Sequence, residues 1–156
     1  MILSSATPTV IYRKSTGEII STGGVQFEDG HRDAQIAAAL APWGDDYAIT
    51  EGVGNADLDY IAIIDEQAIV AERSPLIVYT EGNKVTLAAD GEDSIVLTGL
   101  PNPCEIIIDD PDPDVETEII SVSGGGFVFM ADDPGVYTVE VRRWPFLPFK
   151  IEFTAI

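Results

Sequence analysis

The densest run of chemistry-bearing side chains is Asp109-Asp110-Pro111-Asp112-Pro113-Asp114, followed by Glu116 and Glu118. Calcium takes about six to eight hard oxygens and clustered carboxylates supply them, so Asp109, Asp110, Asp112 and Asp114 are a candidate calcium loop. The competing reading is a solvated loop between strands. Two prolines hold the stretch extended, where carboxylates fan outward more readily than they converge, and the glycine and spacing of an EF-hand are absent. Asp90, Glu92 and Asp93 lie in a second acidic turn. They either add oxygens from across the fold or act as turn formers, since Asp and Gly supply the backbone such a turn needs.

Nucleophilic chemistry finds little to build on. His31 is the only histidine, so any Ser–His–Asp or Cys–His catalyst would have to use it, and a two-histidine metal site is excluded. A general base also needs a nucleophile and an orienting group beside it; a cap or surface histidine is the simpler reading. Ser4 and Ser5 have no nucleophile-elbow context. Cys104 is the only cysteine, which excludes an intrachain disulfide and a cysteine zinc cluster. In its Pro-Asn-Pro-Cys run it reads as a small buried apolar residue. Gly124-Gly125-Gly126 lacks the Gly-Lys-Ser/Thr ending of a phosphate loop and reads as a flexible hairpin turn. Among 27 acidic residues, carboxylate pairs suited to glycoside cleavage arise by chance. No catalytic set assembles, so the expectation is a protein that is not an enzyme and carries no cofactor beyond the candidate calcium.

A different chemistry is offered by Trp144-Pro145-Phe146-Leu147-Pro148-Phe149. Its prolines oppose regular ladder pairing, and Trp144, Phe146, Leu147 and Phe149 are candidate partner-binding residues. The alternative is a bulged corner whose aromatics close one end of a sandwich, because a free apolar patch is a liability in a monomer.

These residues sit in a chain of 156, with 8 basic and 27 acidic side chains, a net charge of −19 and 46% apolar residues. So much apolar material sets the chain apart from disordered acidic sequences. The acidity excludes a general nucleic-acid binder and docking on an anionic membrane. It is spread along the chain, with 4 basic and 12 acidic residues up to Ser74 and 4 and 15 beyond. Identical copies this acidic pack closely only through apolar, counterion-screened or basic-partner contacts. Met1–Pro8 does not read as a secretory signal, and no apolar run approaches the roughly 20 residues that span a bilayer. A protein soluble as made, synthesised in the cytosol, is expected.

Residues 1–74 read as a small α+β unit. Val10–Arg13 and Glu18–Ser21 flank the Gly-ended turn Lys14-Ser15-Thr16-Gly17, a hairpin signal, and Gly23-Gly24 then breaks the chain. Asp33–Leu40 is the best helix: it is alanine-rich, Asp33 suits the positive end, Ile36 and Leu40 share a face, and Pro42 stops it. Tyr47–Glu51 reads as a strand, and Tyr60–Ile64 and Ala68–Ala71 flank Asp65-Glu66-Gln67 as a second hairpin.

Arg73-Ser74-Pro75 marks a boundary. Residues 75–156 show no helical period. Short β-rich runs recur at Leu76–Tyr79, Lys84–Ala88, Ser94–Thr98, Cys104–Ile108, Glu118–Val122, Gly126–Met130, Val136–Arg142 and Phe149–Thr154. Their Gly, Pro and Asp punctuation predicts an antiparallel β-sandwich. The turn Asp132-Asp133-Pro134-Gly135 places proline and glycine where a tight reversal wants them.

Leu87-Ala88-Ala89-Asp90-Gly91-Glu92-Asp93-Ser94-Ile95-Val96-Leu97 resembles the opening of bacterial immunoglobulin-like domains, found in invasin-type adhesins and bacteriophage virion proteins. Asp133-Pro134-Gly135-Val136-Tyr137-Thr138-Val139-Glu140-Val141 resembles their late "PGxYxVxV" strand. Together these cover the chain from Leu76 to its end. Residues 1–74 are similar in style to small tail-associated phage proteins, through Ser15-Thr16-Gly17-Glu18-Ile19-Ile20-Ser21-Thr22-Gly23, the short helix and Asp65–Val70. The resemblance implies a mainly β protein: an α+β docking unit followed by an immunoglobulin-like sandwich. It implies a structural role in a phage virion, assembled in the host cytoplasm, as a tail-tip, baseplate or fibre-attachment component. The expected partners are other virion proteins and symmetry-related copies. A capsid decoration protein is the alternative, as is a calcium-assisted module that binds a host-surface glycan.

Overall fold

The computed structural model describes residues 6–156; Ser4, Ser5 and most of the stretch weighed as a secretory signal lie outside them. The protein is mainly β, with several antiparallel sheets and, among the described residues, one α-helix. No helix among them is long and apolar enough to cross a membrane. The chain divides into two compact units between Arg73 and Ser74.

In the first unit, β1 (Thr7–Arg13) and β2 (Ile19–Val25) form the expected hairpin, and β3 (Tyr47–Glu51) adds to the other side of β1. Gly17 closes the β1–β2 turn at φ +75°, and a Cβ there would stand 2.2 Å from the Ile61 carbonyl oxygen. Its own carbonyl accepts from the Ile61 amide at 2.7 Å. Only glycine permits both the left-handed backbone and so close an approach. Gly23-Gly24 does not break the chain as expected: β2 runs through both, opposite Thr9 and Pro8. An edge strand that packs little side-chain volume tolerates glycine, and the pairing with β1 holds the backbone extended.

The helix α1 (Arg32–Leu40) follows, one residue longer than the alanine-rich stretch predicts. No residue of it is buried, and Ile36 and Leu40 are half-covered. His31 takes the N-cap position without a side-chain cap bond. Gln35 ties the helix back instead, its Oε1 accepting from the Glu28 amide at 3.1 Å. Arg32 pairs with Glu51 on β3 and lies 4.6 Å from the centre of the Phe27 ring.

β4 (Asp59–Ile64) and β5 (Gln67–Glu72) form the second hairpin. Ile64 opposes Gln67, so Asp65 and Glu66 alone make the loop, at φ 49° and 63°. Two successive positive φ angles define a type I′ turn, which suits Asn-Gly far better than a residue like Glu. Val10, Tyr12, Ile19 and Ile61 are the buried core of this unit, flanked by Ala48, Ala68 and Val70. Glu66→Gly should relieve the left-handed backbone and raise stability by about 0.5–1 kcal/mol. Urea denaturation of the intact chain checks this; an unchanged or lowered midpoint contradicts it.

The second unit holds β6 (Tyr79–Thr80), β7 (Thr86–Leu87), β8 (Ile95–Thr98), β9 (Cys104–Asp109), β10 (Glu118–Val122), β11 (Gly126–Phe129), β12 (Gly135–Arg142) and β13 (Phe149–Ala155). One sheet has the order β11-β8-β6, the other β10-β9-β12-β13-β7. All pairs are antiparallel except β13 with β7. Ile95, Leu97 and Phe129 from the narrow sheet and Ile106, Val139, Val141 and Phe153 from the wide one share a single core. Period-two alternation on β12 buries Tyr137, Val139 and Val141 and leaves the residues between them less covered.

Two expectations need correction here. Leu76–Val78 is not strand; only Tyr79 of that run pairs. Apolar β-prone residues there fill space beside the core through Leu76 and Val78 without ladder bonds. Gly124-Gly125-Gly126 is not a hairpin turn, because β10 and β11 belong to different sheets. Gly124 and Gly125, at φ 114° and 80°, carry the chain around the corner from one layer to the other.

The acidic turn before β8 is a hydrogen-bonded knot. Asp90 Oδ1 accepts from the amides of Glu92 and Asp93 at 2.9 and 2.8 Å. Asp93 accepts from Lys84 Nζ and from the amides of Ala88 and Ser94. Lys84 first, then the two amides, hold the Asp93 carboxyl at about 2, against its ordinary 3.8. A carboxyl more acidic folded than unfolded stabilises fully above about pH 5, and that contribution fades as pH falls through about 2. Asp93→Asn should therefore lower the melting temperature at neutral pH and flatten its fall between about pH 4 and 2. An acid dependence identical to that of the parent chain would refute this role.

Candidate functional site: an acidic cleft at the open end of the second unit

The two sheets of the second unit differ in width, and their open edges leave a recess. β10 ends the wide sheet and β11 ends the narrow one. Between these edges lies a cleft of about 330 Å³, with Ile108, Ile120, Phe127 and Tyr137 on its floor. Asp110, Glu118, Asp132 and Asp133 stand around it. A second recess of about 460 Å³ adjoins it, sharing Asp110 and Asp133 and adding Asp112 and Val115. No basic side chain lines either one.

The strand patterns position this lining. The register places Ile108 opposite Glu118 and Ile106 opposite Ile120, so alternate residues of the β9–β10 pair point to the interior. Tyr137 enters from β12, and its hydroxyl donates to the Asp133 carbonyl at 3.0 Å, bracing the corner between β11 and β12. Phe129 meets the Tyr137 ring edge-on at 5.3 Å. Burial first, then the charges of Asp110, Asp133 and Asp132, push the Tyr137 hydroxyl above its ordinary value. Burial is the larger cause, and the carboxylates add to it.

Only part of the sequence-read acidic loop reaches this site. Asp110 and Asp112 line it; Asp109 and Asp114 do not. The loop is organised by its own backbone. Asp110 Oδ1 accepts from the Asp112 amide at 2.8 Å, and Asp112 Oδ1 accepts from the Asp114 amide at 2.9 Å. Asp109 accepts from the Thr117 hydroxyl at 2.6 Å. Each of these carboxylates thus meets a donor two to eight residues on, an Asx-turn pattern in the first two cases. Among the described residues, no three Asp, Glu, His or Cys side chains are grouped to hold a metal. Millimolar calcium should shift the melting temperature no more than magnesium or an equal ionic strength of sodium chloride. A saturable, calcium-selective rise, read by thermal unfolding, would contradict this.

Trp144, Phe146, Leu147 and Phe149 do not share one exposed face. Phe149 opens β13 and packs against the core. The Leu147 amide donates to the Ser74 carbonyl at 2.8 Å, and Leu147 bridges to Pro75. Trp144 and Leu147 are half-buried, and Phe146 is 36% exposed. The stretch forms the corner between β12 and β13, where the Phe146 amide donates to the Arg143 carbonyl at 2.8 Å. Cys104 is buried, and burial pushes its thiol up.

Glu118, Phe127, Asp132, Asp133 and Tyr137 were not singled out as site residues by their sequence context. Asp132 and Asp133 read as turn formers and Phe127 as a strand residue, which they also are. The cleft follows from pairing across two sheets, which no local spacing records. Compared with known proteins, the chain matches no family model, no curated protein and no solved structure.

Proposed function

We propose that this chain is a structural interaction protein of a phage virion, a tail-tip, baseplate or fibre-attachment component. In this reading the second unit is an immunoglobulin-like domain and the first unit docks it to neighbouring virion proteins. The immunoglobulin-like reading draws support from strand order. β6, β8 and β11 take the places of strands A, B and E, and β10, β9, β12 and β13 those of C′, C, F and G. Tyr137, near the start of β12, donates to a carbonyl four residues upstream in the manner of a tyrosine corner.

The observation that carries the interaction role is the β4–β5 hairpin. It is apolar on both faces, and a two-stranded sheet is at best marginal alone. Ile61 and Val70 pair on the face that meets the core of the first unit. Ala62 and Ile69 pair on the opposite face, where Ile64 also projects. Ile64 and Ile69 on this face are 52% and 41% exposed, and Ile63, on the other face beyond the core contact, is 61% exposed. Exposed isoleucines side by side on a paired strand surface, as Ile64 and Ile69 are, favour an interaction site. In a chain of net charge −19, an apolar contact also avoids charge repulsion between neighbours.

Particles purified from a culture that produces this protein should contain it in fixed ratio to the major virion proteins, with labelled copies at the tail end. Labels spread over the head would favour the decoration role instead, and particles that lack the chain would overturn the proposal. The exchange I64K/I69E should change folding stability by no more than about 0.5 kcal/mol and lower incorporation at least tenfold. Normal incorporation of that folded variant would remove the hairpin from the docking surface.

A further inference from the structure

We infer that the free edge of β11, together with the cleft beside it, receives an extended, basic segment of a partner chain by strand addition. The inference rests on reading the protein as an interaction protein, and it names the kind of partner that the second unit takes.

Three observations meet at this place. The first is an unpaired edge: among the described residues, β11 pairs with β8 alone, and its other side has no strand. A free edge presents a row of backbone donors and acceptors that another strand can satisfy. The second is the mismatch between layers. The wide sheet carries β10 beyond its neighbour β9, while the narrow sheet stops at β11, so a strand laid along β11 would come to face β10. Alternate side chains of that strand would enter the cleft over Ile108, Ile120 and Phe127. Its outward side chains would extend the surface on which Val128 and Met130 are 50% and 53% exposed. The third is charge. Every ionisable group lining the cleft other than the Tyr137 phenol is a carboxylate: Asp110, Glu118, Asp132 and Asp133.

Together these define the occupant. Backbone pairing requires an extended segment, and the floor requires apolar residues at alternate positions. The rim requires Lys or Arg between or beside them. A second copy of this chain is the poorer candidate, since it brings 27 acidic and 8 basic residues to a negative edge. An acidic or anionic partner is repelled.

The test uses the intact chain and two synthetic peptides, one alternating Lys or Arg with Val, the other with Glu in place of each basic residue. Amide hydrogen exchange is followed residue by residue. The basic peptide should slow exchange at least tenfold at those amides between Gly126 and Met130 that face the free edge, alternate residues along β11, and the acidic peptide should leave these amides unchanged. Exchanging Glu118 and Asp133, both exposed, for Lys should weaken binding of the basic peptide at least tenfold, as should raised salt. A melting temperature within a degree or two of the parent's shows that the variant is folded. No protection by the basic peptide, equal protection by both peptides, or protection centred elsewhere overturns the inference. So does protection that appears without peptide as protein concentration rises, with a dimer in sedimentation. Each of these outcomes leaves the hairpin test of the first unit untouched, so failure here is distinguishable from failure of the broader reading.

Discussion

The carboxylate of Asp93 holds the point at which the chain passes between layers. β6 pairs in the narrow sheet and β7 in the wide one, with only a short connection between them. Asp93 gathers Lys84 from that connection, Ala88 just past β7, and Ser94 at the start of β8. One side chain thereby fixes the first strand of each sheet relative to the strand that leads into the core. Charge-assisted bonds suit this task because each is stronger than a neutral one and all converge on two oxygens. With β7 held against β13 the wide sheet gains its fifth strand, at the edge opposite β10.

The distribution of polarity follows from the same layering. Carboxylates occupy the turns and the outward positions, where water solvates them, while the alternating positions of β8, β9, β12 and β13 build one continuous apolar interior. Where the layers match, the acidic exterior is ordinary. Where they do not, carboxylates from three separate segments line a cleft together with half-buried apolar residues. The surface charge thus acquires a direction at one edge of the fold.

Much of this was legible in the sequence, for identifiable reasons. Glu118–Val122 is found as read, the alanine-rich helix is one residue longer than expected, and the hairpin around Lys14–Gly17 forms with strands that run three and four residues further at their outer ends, to Thr7 and Val25. Each carries a strong local signal: alternation, a Gly-ended turn, or high helix propensity. The departures arise where tertiary pairing overrides local preference. Gly23-Gly24 stays extended because β1 pairs with it. Leu76–Val78 is apolar and β-prone yet finds no partner beyond Tyr79. The triglycine reads as a hairpin because strands flank it, but strand adjacency in sequence does not disclose which sheet each joins. The cleft was invisible for the same reason, since Glu118, Asp132 and Tyr137 meet only once the order of strands is known. In the candidate calcium loop, carboxylates chosen for their density are engaged by nearby amides and a hydroxyl, an outcome that residue counts do not distinguish from convergence.

Two separate interiors have a thermodynamic consequence. Among the described residues, one is built from 14 buried residues, the other from four. Apolar burial is what makes unfolding cooperative, so each interior defines its own opening transition, and the smaller resists opening less. The first unit is therefore the compliant half of the molecule. The β4–β5 hairpin, whose inner face rests on the smaller interior, opens at lower energetic cost than the strands of the second unit.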